Sequence, residues 1–171
     1  LDGYVFDAFS ESHLEYASTV KLPRLVARRA LGYRCRHELE VLSALFSLNR
    51  GSVGLMLGGR LFADKIDTLT SWLPRVDRLC VGGSVAMTLL AATGRARSDA
   101  SAEPDRLAQA RSLLARARDL NVAVTLPVDL RVQLPGDQGS LVKSPADVPP
   151  GARIIDIGPE TAALFGDVLG K

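Results

Sequence analysis

The sequence predicts an α/β fold with a mainly parallel sheet. Short, almost unbroken apolar runs are bounded by turn residues, as is typical of strands buried in such sheets. Two of these runs end in a glycine pair, Gly58-Gly59 and Gly82-Gly83, and a helical pattern follows each pair. Strands alternate with helices four times along the chain, which favours parallel strands joined by right-handed crossovers.

The first third of the chain contains a short strand and a long helix. Residues 4–6 are a β-prone run that leads into a polar loop over residues 10–19. Residues 21–29 are basic and are interrupted by Pro23. Residues 35–48 place leucines on one helical face, so we expect an amphipathic helix of about four turns.

Two strand-turn-helix units follow in direct succession. In the first, residues 53–57 are a buried strand and residues 63–73 a helix that Pro74 ends. In the second, residues 78–81 are a strand and residues 85–92 an apolar helix. Two such units form a βαβ pattern.

The remainder of the chain continues the alternation. Residues 93–104 are expected to form a loop on the surface. Residues 105–120 are expected to form an exposed helix whose solvated face carries Arg111, Arg116 and Arg118. After this helix we expect a buried strand over residues 122–126 and short strands joined by a turn over residues 130–142. A loop over residues 145–151 and a strand over residues 154–157 follow. The last helix begins at about residue 158 and has Pro159 in its first turn.

The turns after the strands are the candidate ligand site. Ligands of parallel sheets bind beyond the carboxyl ends of the strands, so Gly58-Gly59, Gly82-Gly83 and residues 127–129 should converge on one crevice. Glycine lets the backbone approach a ligand, and a helix N-terminus attracts phosphate. The first glycine pair lacks the spacing of known phosphate-binding fingerprints, so an ordinary turn remains the alternative. Asp129 could point into the crevice or cap a turn.

Composition excludes several classes of protein. The 171 residues include 21 basic and 19 acidic side chains without a basic stripe, which argues against nucleic acid as a partner. No apolar run reaches membrane-spanning length. Cys35 and Cys80 fit neither a metal site nor a disulfide framework, so we expect buried thiols and a cytoplasmic location. The opening Leu1-Asp2-Gly3 suggests the middle of a longer protein.

Five segments together resemble the phosphoglycerate kinase family, in the same order and at similar spacing, over nearly the whole chain. They are Asp7-Ala8-Phe9, Leu57-Gly58-Gly59 with Asp64-Lys65-Ile66, Gly82-Gly83 with Ala86, Leu126-Pro127-Val128-Asp129, and Asp156-Ile157-Gly158-Pro159. The resemblance implies the end of an N-terminal substrate domain over residues 1–33, an interdomain helix over 34–50, and an incomplete C-terminal nucleotide domain with a Rossmann-like sheet over 51–171.

The resemblance also implies a ligand set. The family's glycolytic reaction transfers a phosphoryl group between ATP and the carboxylate of 3-phosphoglycerate, with Mg²⁺ held by a segment outside this chain. The chain would bind ATP or ADP, with 3-phosphoglycerate as a further ligand, and would be a monomer if whole. No metal ligand is expected within it. The implied nucleotide-binding residues are Gly59, Arg60, Asp64, Lys65, Gly83 and Ser84.

The sequence departs from the family at charged positions. Leu14 stands where the family has an arginine that grips the substrate phosphate, and Leu61 where it has a lysine that stabilises the transferring phosphoryl group. No expected catalytic residue is therefore intact, although Arg60 could reach the space of the lysine. Ser84 replaces a glycine near the expected adenosine pocket. His13 borders the substrate site or is a surface residue.

These departures predict impaired phosphoryl transfer, because that chemistry depends on positioning and charge neutralisation. An inactive nucleotide-binding or interaction module derived from the kinase is the alternative. The 171-residue chain alone is expected to be inactive.

Overall fold

The computed structural model describes residues 1–48, 53–97 and 102–170. The chain divides into two compact units, residues 1–48 and 49–171. The predicted interdomain helix falls in the first unit, and its last predicted residues lie outside the described ranges.

The first unit is organised by a two-stranded parallel sheet. Strand β1 (Tyr4–Phe6), which is confirmed as predicted, pairs with β2 (Arg29–Leu31). Part of the basic segment forms helix α1 (Leu22–Leu25), and the long helix is α2 (Tyr33–Ser47). The Asp7 carboxylate accepts a hydrogen bond from the Cys35 backbone N–H at 2.8 Å. The end of β1 is therefore tied to the first turn of α2.

The second unit contains the predicted parallel sheet. Its order is β3 (Gly54–Leu57), β4 (Arg78–Val81) and β5 (Ala123–Thr125), and both pairings are parallel. Leu57 lies opposite Val81. The carboxyl ends of the three strands therefore lie on one edge of the sheet, as the sequence predicted.

Helices α3 (Ile66–Trp72), α4 (Gly83–Ala92) and α5 (Leu107–Asp119) connect these strands. Six consecutive residues of α4, from Val85 to Leu90, are buried, so this helix forms the centre of the core. The predicted arginine face of α5 is exposed, as expected. Helix α3 begins three residues later than predicted, because residues 62–65 form a tight turn in which the Lys65 N–H donates to the Phe62 carbonyl at 2.9 Å.

A separate antiparallel sheet holds the last strands. Its order is β7 (Leu141–Lys143), β6 (Leu130–Gln133) and β8 (Arg153–Ile157), and the last helix is α6 (Pro159–Leu169). Pro159 stands in the first turn of α6, as predicted. The sequence analysis included the strand at residues 154–157 in the alternation that favours a parallel sheet. This was wrong for that strand, because β8 pairs antiparallel with β6.

The strand predicted over residues 53–57 forms, as β3, but the expectation that it is buried was wrong. Met56 is 58% exposed, and exposure alternates along β3. Strand β3 has one neighbour in the described sheet, β4, and only one of its faces packs on the core. Among the described residues, no helix is long and apolar enough to cross a membrane.

Candidate functional site

A cavity of about 800 Å³ lies in the second unit at the carboxyl ends of β3 and β4. One wall is the turn over residues 58–61, a second is the turn over residues 82–84, and a third is strand β8. The third predicted turn, residues 127–129, does not line this cavity. The predicted crevice therefore forms from two of the three turns, with β8 in place of the third.

The two glycine turns touch each other through their backbones. The Val85 N–H donates to the Gly59 carbonyl at 3.2 Å, and the Gly82 N–H donates to the Leu57 carbonyl at 2.8 Å. Gly83 has φ +64°, and a Cβ atom there would lie 2.8 Å from the Gly59 carbonyl oxygen. Only glycine fits both this left-handed conformation and this contact without strain. The two turns therefore form one joined backbone surface.

Helix α4 begins at this surface. Its N-cap is Gly82, and no side chain caps its first turn. Gly83 and Ser84, its first residues, line the cavity. The Val85 N–H is occupied by the Gly59 carbonyl, but the Gly83 and Ser84 N–H groups have no acceptor among the described residues. Together with the positive dipole end of this ten-residue helix, they suit an anionic group in the cavity.

The predicted nucleotide-binding residues divide into two groups. Gly59, Arg60, Gly83 and Ser84 line the cavity, and so does Leu61, which is 44% exposed. Asp64 and Lys65 are not among the lining residues. The stem of Lys65 instead packs near Gly59, where an added Cβ atom would lie 3.2 Å from the Lys65 Cε.

Glu103 lines the cavity and was missed by the sequence analysis. Its carboxylate accepts hydrogen bonds from the backbone N–H groups of Phe62 and Ala63, the latter at 3.3 Å. Its own N–H donates to the hydroxyl of Thr88, a fully buried residue, at 3.1 Å. Since Glu103 and Phe62 are 41 positions apart, no local sequence pattern could have indicated the contact.

Asp129 caps helix α6. Its carboxylate accepts hydrogen bonds from the Glu160 N–H at 3.1 Å and the Thr161 N–H at 2.7 Å, and it contacts the Thr161 hydroxyl at 2.6 Å. Burial raises the pKa of Asp129, but the hydrogen bonds from Thr161 and Glu160 outweigh it and leave the pKa below its ordinary value. Asp129 therefore does not face the cavity, and it caps the first turn of α6 instead of the local turn that the sequence suggested.

Leu14 and His13, which the sequence analysis also singled out, belong to the first unit. Leu14 is half-buried, and its carbonyl accepts a hydrogen bond from the Thr19 hydroxyl at 2.5 Å. His13 is exposed, in agreement with a surface residue. Both cysteines are buried free thiols, as predicted. Within the described parts of the chain, there is no group of three or more His, Cys, Asp or Glu residues that could hold a metal ion.

A family model described as phosphoglycerate kinase matches residues 1–171. The cytosolic phosphoglycerate kinase of Trypanosoma congolense is 35% identical over 172 residues, covering 99% of this chain and 41% of that protein. The glycosomal enzyme of the same organism is also 35% identical, and the match covers 34% of it. The chain therefore spans about two fifths or less of these relatives.

Two solved structures are similar to this chain. The phosphoglycerate kinase of Coxiella burnetii is similar with a TM-score of 0.82 at 31% identity, covering 98% of this chain and 43% of that one. The enzyme of Pyrococcus horikoshii shares the fold with a TM-score of 0.73 at 22% identity.

Proposed function

Because the chain belongs to the phosphoglycerate kinase family, we propose that the cavity of its second unit binds ATP or ADP. The protein would take part in phosphoryl transfer between ATP and the carboxylate of 3-phosphoglycerate, in the cytoplasm. The joined surface of the two glycine turns carries this proposal. It combines backbone without side chains and the uncapped start of α4 in one cavity of about 800 Å³.

Four residues would hold the nucleotide. The backbone at Gly59 and Gly83 allows a phosphate chain to approach closely, and the N–H groups at Gly83 and Ser84 would donate to phosphate oxygens. Arg60 is exposed at the cavity and has no side-chain partner among the described residues, so its guanidinium is available for a phosphate. Lys65 would stabilise the turn through the packing of its stem near Gly59, and Asp64, which does not line the cavity, would lie beside the nucleotide site.

We also propose that phosphoryl transfer is impaired in this protein. Leu61 presents an apolar side chain to the cavity where the family has a lysine. One charge that meets the phosphoryl group in the transition state is worth about 3 kcal/mol, or on the order of a hundredfold in rate. Leu14 removes a charged contact to the substrate phosphate, which would weaken substrate binding.

The exposed Leu61 also favours a second candidate function. A cavity that has kept its glycine turns but lost the expected lysine could serve as an inactive nucleotide-binding or interaction module. Ligand binding and turnover separate the two candidates.

Calorimetric titration of the 171-residue chain with ATP and ADP tests nucleotide binding. Ser84→Tyr places a ring in the cavity and should weaken ATP binding at least tenfold. Ser71→Tyr makes the same change at an exposed serine of α3 and should leave binding unchanged. Failure of both nucleotides to bind at millimolar concentration, or equal binding by both variants, would refute the nucleotide site.

A coupled assay tests turnover. The 171-residue chain should not phosphorylate 3-phosphoglycerate above a no-protein control, because about three fifths of the relatives' length is outside it. In a protein that carries every segment of the family, Leu61→Lys combined with Arg60→Ala should raise turnover about a hundredfold. Leu14→Arg should chiefly lower the apparent KM for 3-phosphoglycerate. If ATP binds but neither variant gains activity, the module is the better description.

A further inference from the structure

We propose that Glu103 is a positioning residue of the cavity, which holds the backbone so that Arg60 faces a bound phosphate. The inference rests on the proposed nucleotide site and assigns a role to a residue in neither glycine turn. Glu103 lies at the cavity on the approach to α5, far in sequence from the turn it contacts.

The Glu103 carboxylate contacts a segment of backbone that belongs to neither a strand nor a helix. The turn over residues 58–61 leaves strand β3, and helix α3 does not begin until Ile66. Between them, the Phe62 and Ala63 N–H groups precede the first helical turn and have the Glu103 carboxylate as their acceptor. This carboxylate therefore stabilises the segment that carries Arg60 and Leu61.

Glu103 is itself held from the core side. Its N–H donates to the hydroxyl of Thr88, in the middle of the buried helix α4. Phe62, whose N–H binds the carboxylate, is fully buried. Helix α4 also begins at the second glycine turn, so the same helix is connected to both glycine turns, directly to one and through Glu103 to the other. Backbone held in this way does not have to be ordered when a ligand binds, which improves affinity.

Two backbone N–H donors offset the negative charge of Glu103. A carboxylate beside a phosphate site would repel the ligand if it were free, but here two N–H donors face it. Loss of the carboxylate should release the backbone around Arg60. The expected consequence is a larger loss of affinity for a ligand with phosphates than for adenosine, because adenosine has no negative charge for the Arg60 guanidinium to meet.

Glu103→Ala, Glu103→Gln and Asp105→Ala test this role in the 171-residue chain. Asp105 lies two residues away and is exposed, without a described side-chain hydrogen bond, so Asp105→Ala removes the same charge and serves as the control. Glutamine retains an acceptor oxygen and should restore most of the function. Calorimetry with ATP and with adenosine, and amide hydrogen exchange without ligand, give independent measurements.

Glu103→Ala should accelerate exchange at the Phe62 and Ala63 amides at least tenfold and weaken ATP binding at least tenfold, with a smaller effect on adenosine. Asp105→Ala should do neither. The positioning role is overturned if exchange at these two amides is unchanged, if ATP and adenosine weaken equally, or if Glu103→Ala binds ATP more tightly, which would indicate simple repulsion. If the parent chain binds no nucleotide, the proposed function fails, while the exchange result still decides whether Glu103 holds this backbone.

Discussion

Gly83→Ala should destabilise the protein far more than a comparable substitution elsewhere. Gly83 has φ +64°, a left-handed conformation in which alanine or any other L residue is strained by about 1–2 kcal/mol. The added Cβ atom would also lie 2.8 Å from the Gly59 carbonyl oxygen and 3.2 Å from the Gly59 nitrogen. Both neighbours are backbone atoms of a joined turn and cannot move independently, so the crowding adds about 1–3 kcal/mol. The expected total loss is about 2–5 kcal/mol.

Two other glycines separate the contributions. Gly94 has a similar φ of +74° but no atom within 4 Å of an added Cβ, so Gly94→Ala should cost only the strain, about 1–2 kcal/mol. Gly58 has neither a left-handed φ nor a close neighbour, so Gly58→Ala should be neutral or stabilise by about 0.4–1 kcal/mol.

Urea unfolding of the ligand-free chain, followed by the fluorescence of its single tryptophan, Trp72, measures these differences. The slopes of the unfolding free energy against urea should agree among the variants, so that midpoints report stability. Equal losses for Gly83→Ala and Gly94→Ala would refute the argument that contact between the glycine turns constrains residue 83.

Three further predictions concern buried polar groups. Thr161→Val should lower the free energy of unfolding by about 1–3 kcal/mol in urea, because the Val128 and Asp129 N–H groups lose their acceptor. The lowered pKa of Asp129 means that its contribution to stability is complete above the unfolded-state value of about 4 and is lost as pH falls through the folded-state value. Urea midpoints measured between about pH 5 and 2 should therefore fall more steeply for the parent than for Asp129→Asn; parallel profiles would contradict this. Burial raises the pKa of the Cys35 and Cys80 thiols, so a thiol reagent at neutral pH should modify them much more slowly in the native chain than in denaturant, and equal rates would contradict their burial.

Local patterns determined most of the secondary structure. Strands 4–6 and 78–81 were predicted to the residue, and the glycine pairs correctly marked where β3 and β4 end. These signals work because an apolar run and a following glycine act within a few residues of each other. The order of the glycine turns also predicted that both turns lie at one edge of a parallel sheet. A helix between two strands carries the chain back across the sheet, so that the second strand runs parallel to the first.

Contacts between distant segments decided the rest. The sequence of β8 resembles that of a parallel strand, and only its pairing with β6 made it antiparallel and a wall of the cavity. Position in the sheet likewise left Met56 of β3 exposed, although its apolar sequence predicted burial.

By itself, the sequence determined the α/β class and the family, and it predicted that the two glycine turns lie together at one edge of the sheet. The tertiary structure alone showed that Glu103 supports the turn beside Arg60 and that Asp129 caps α6 instead of facing a ligand. Both carboxylates bind backbone N–H groups more than 30 positions away in the chain. A carboxylate that is buried, like Asp129, or partly buried, like Glu103, needs hydrogen-bond donors, and residue type and local spacing do not show which distant donors the fold brings to it.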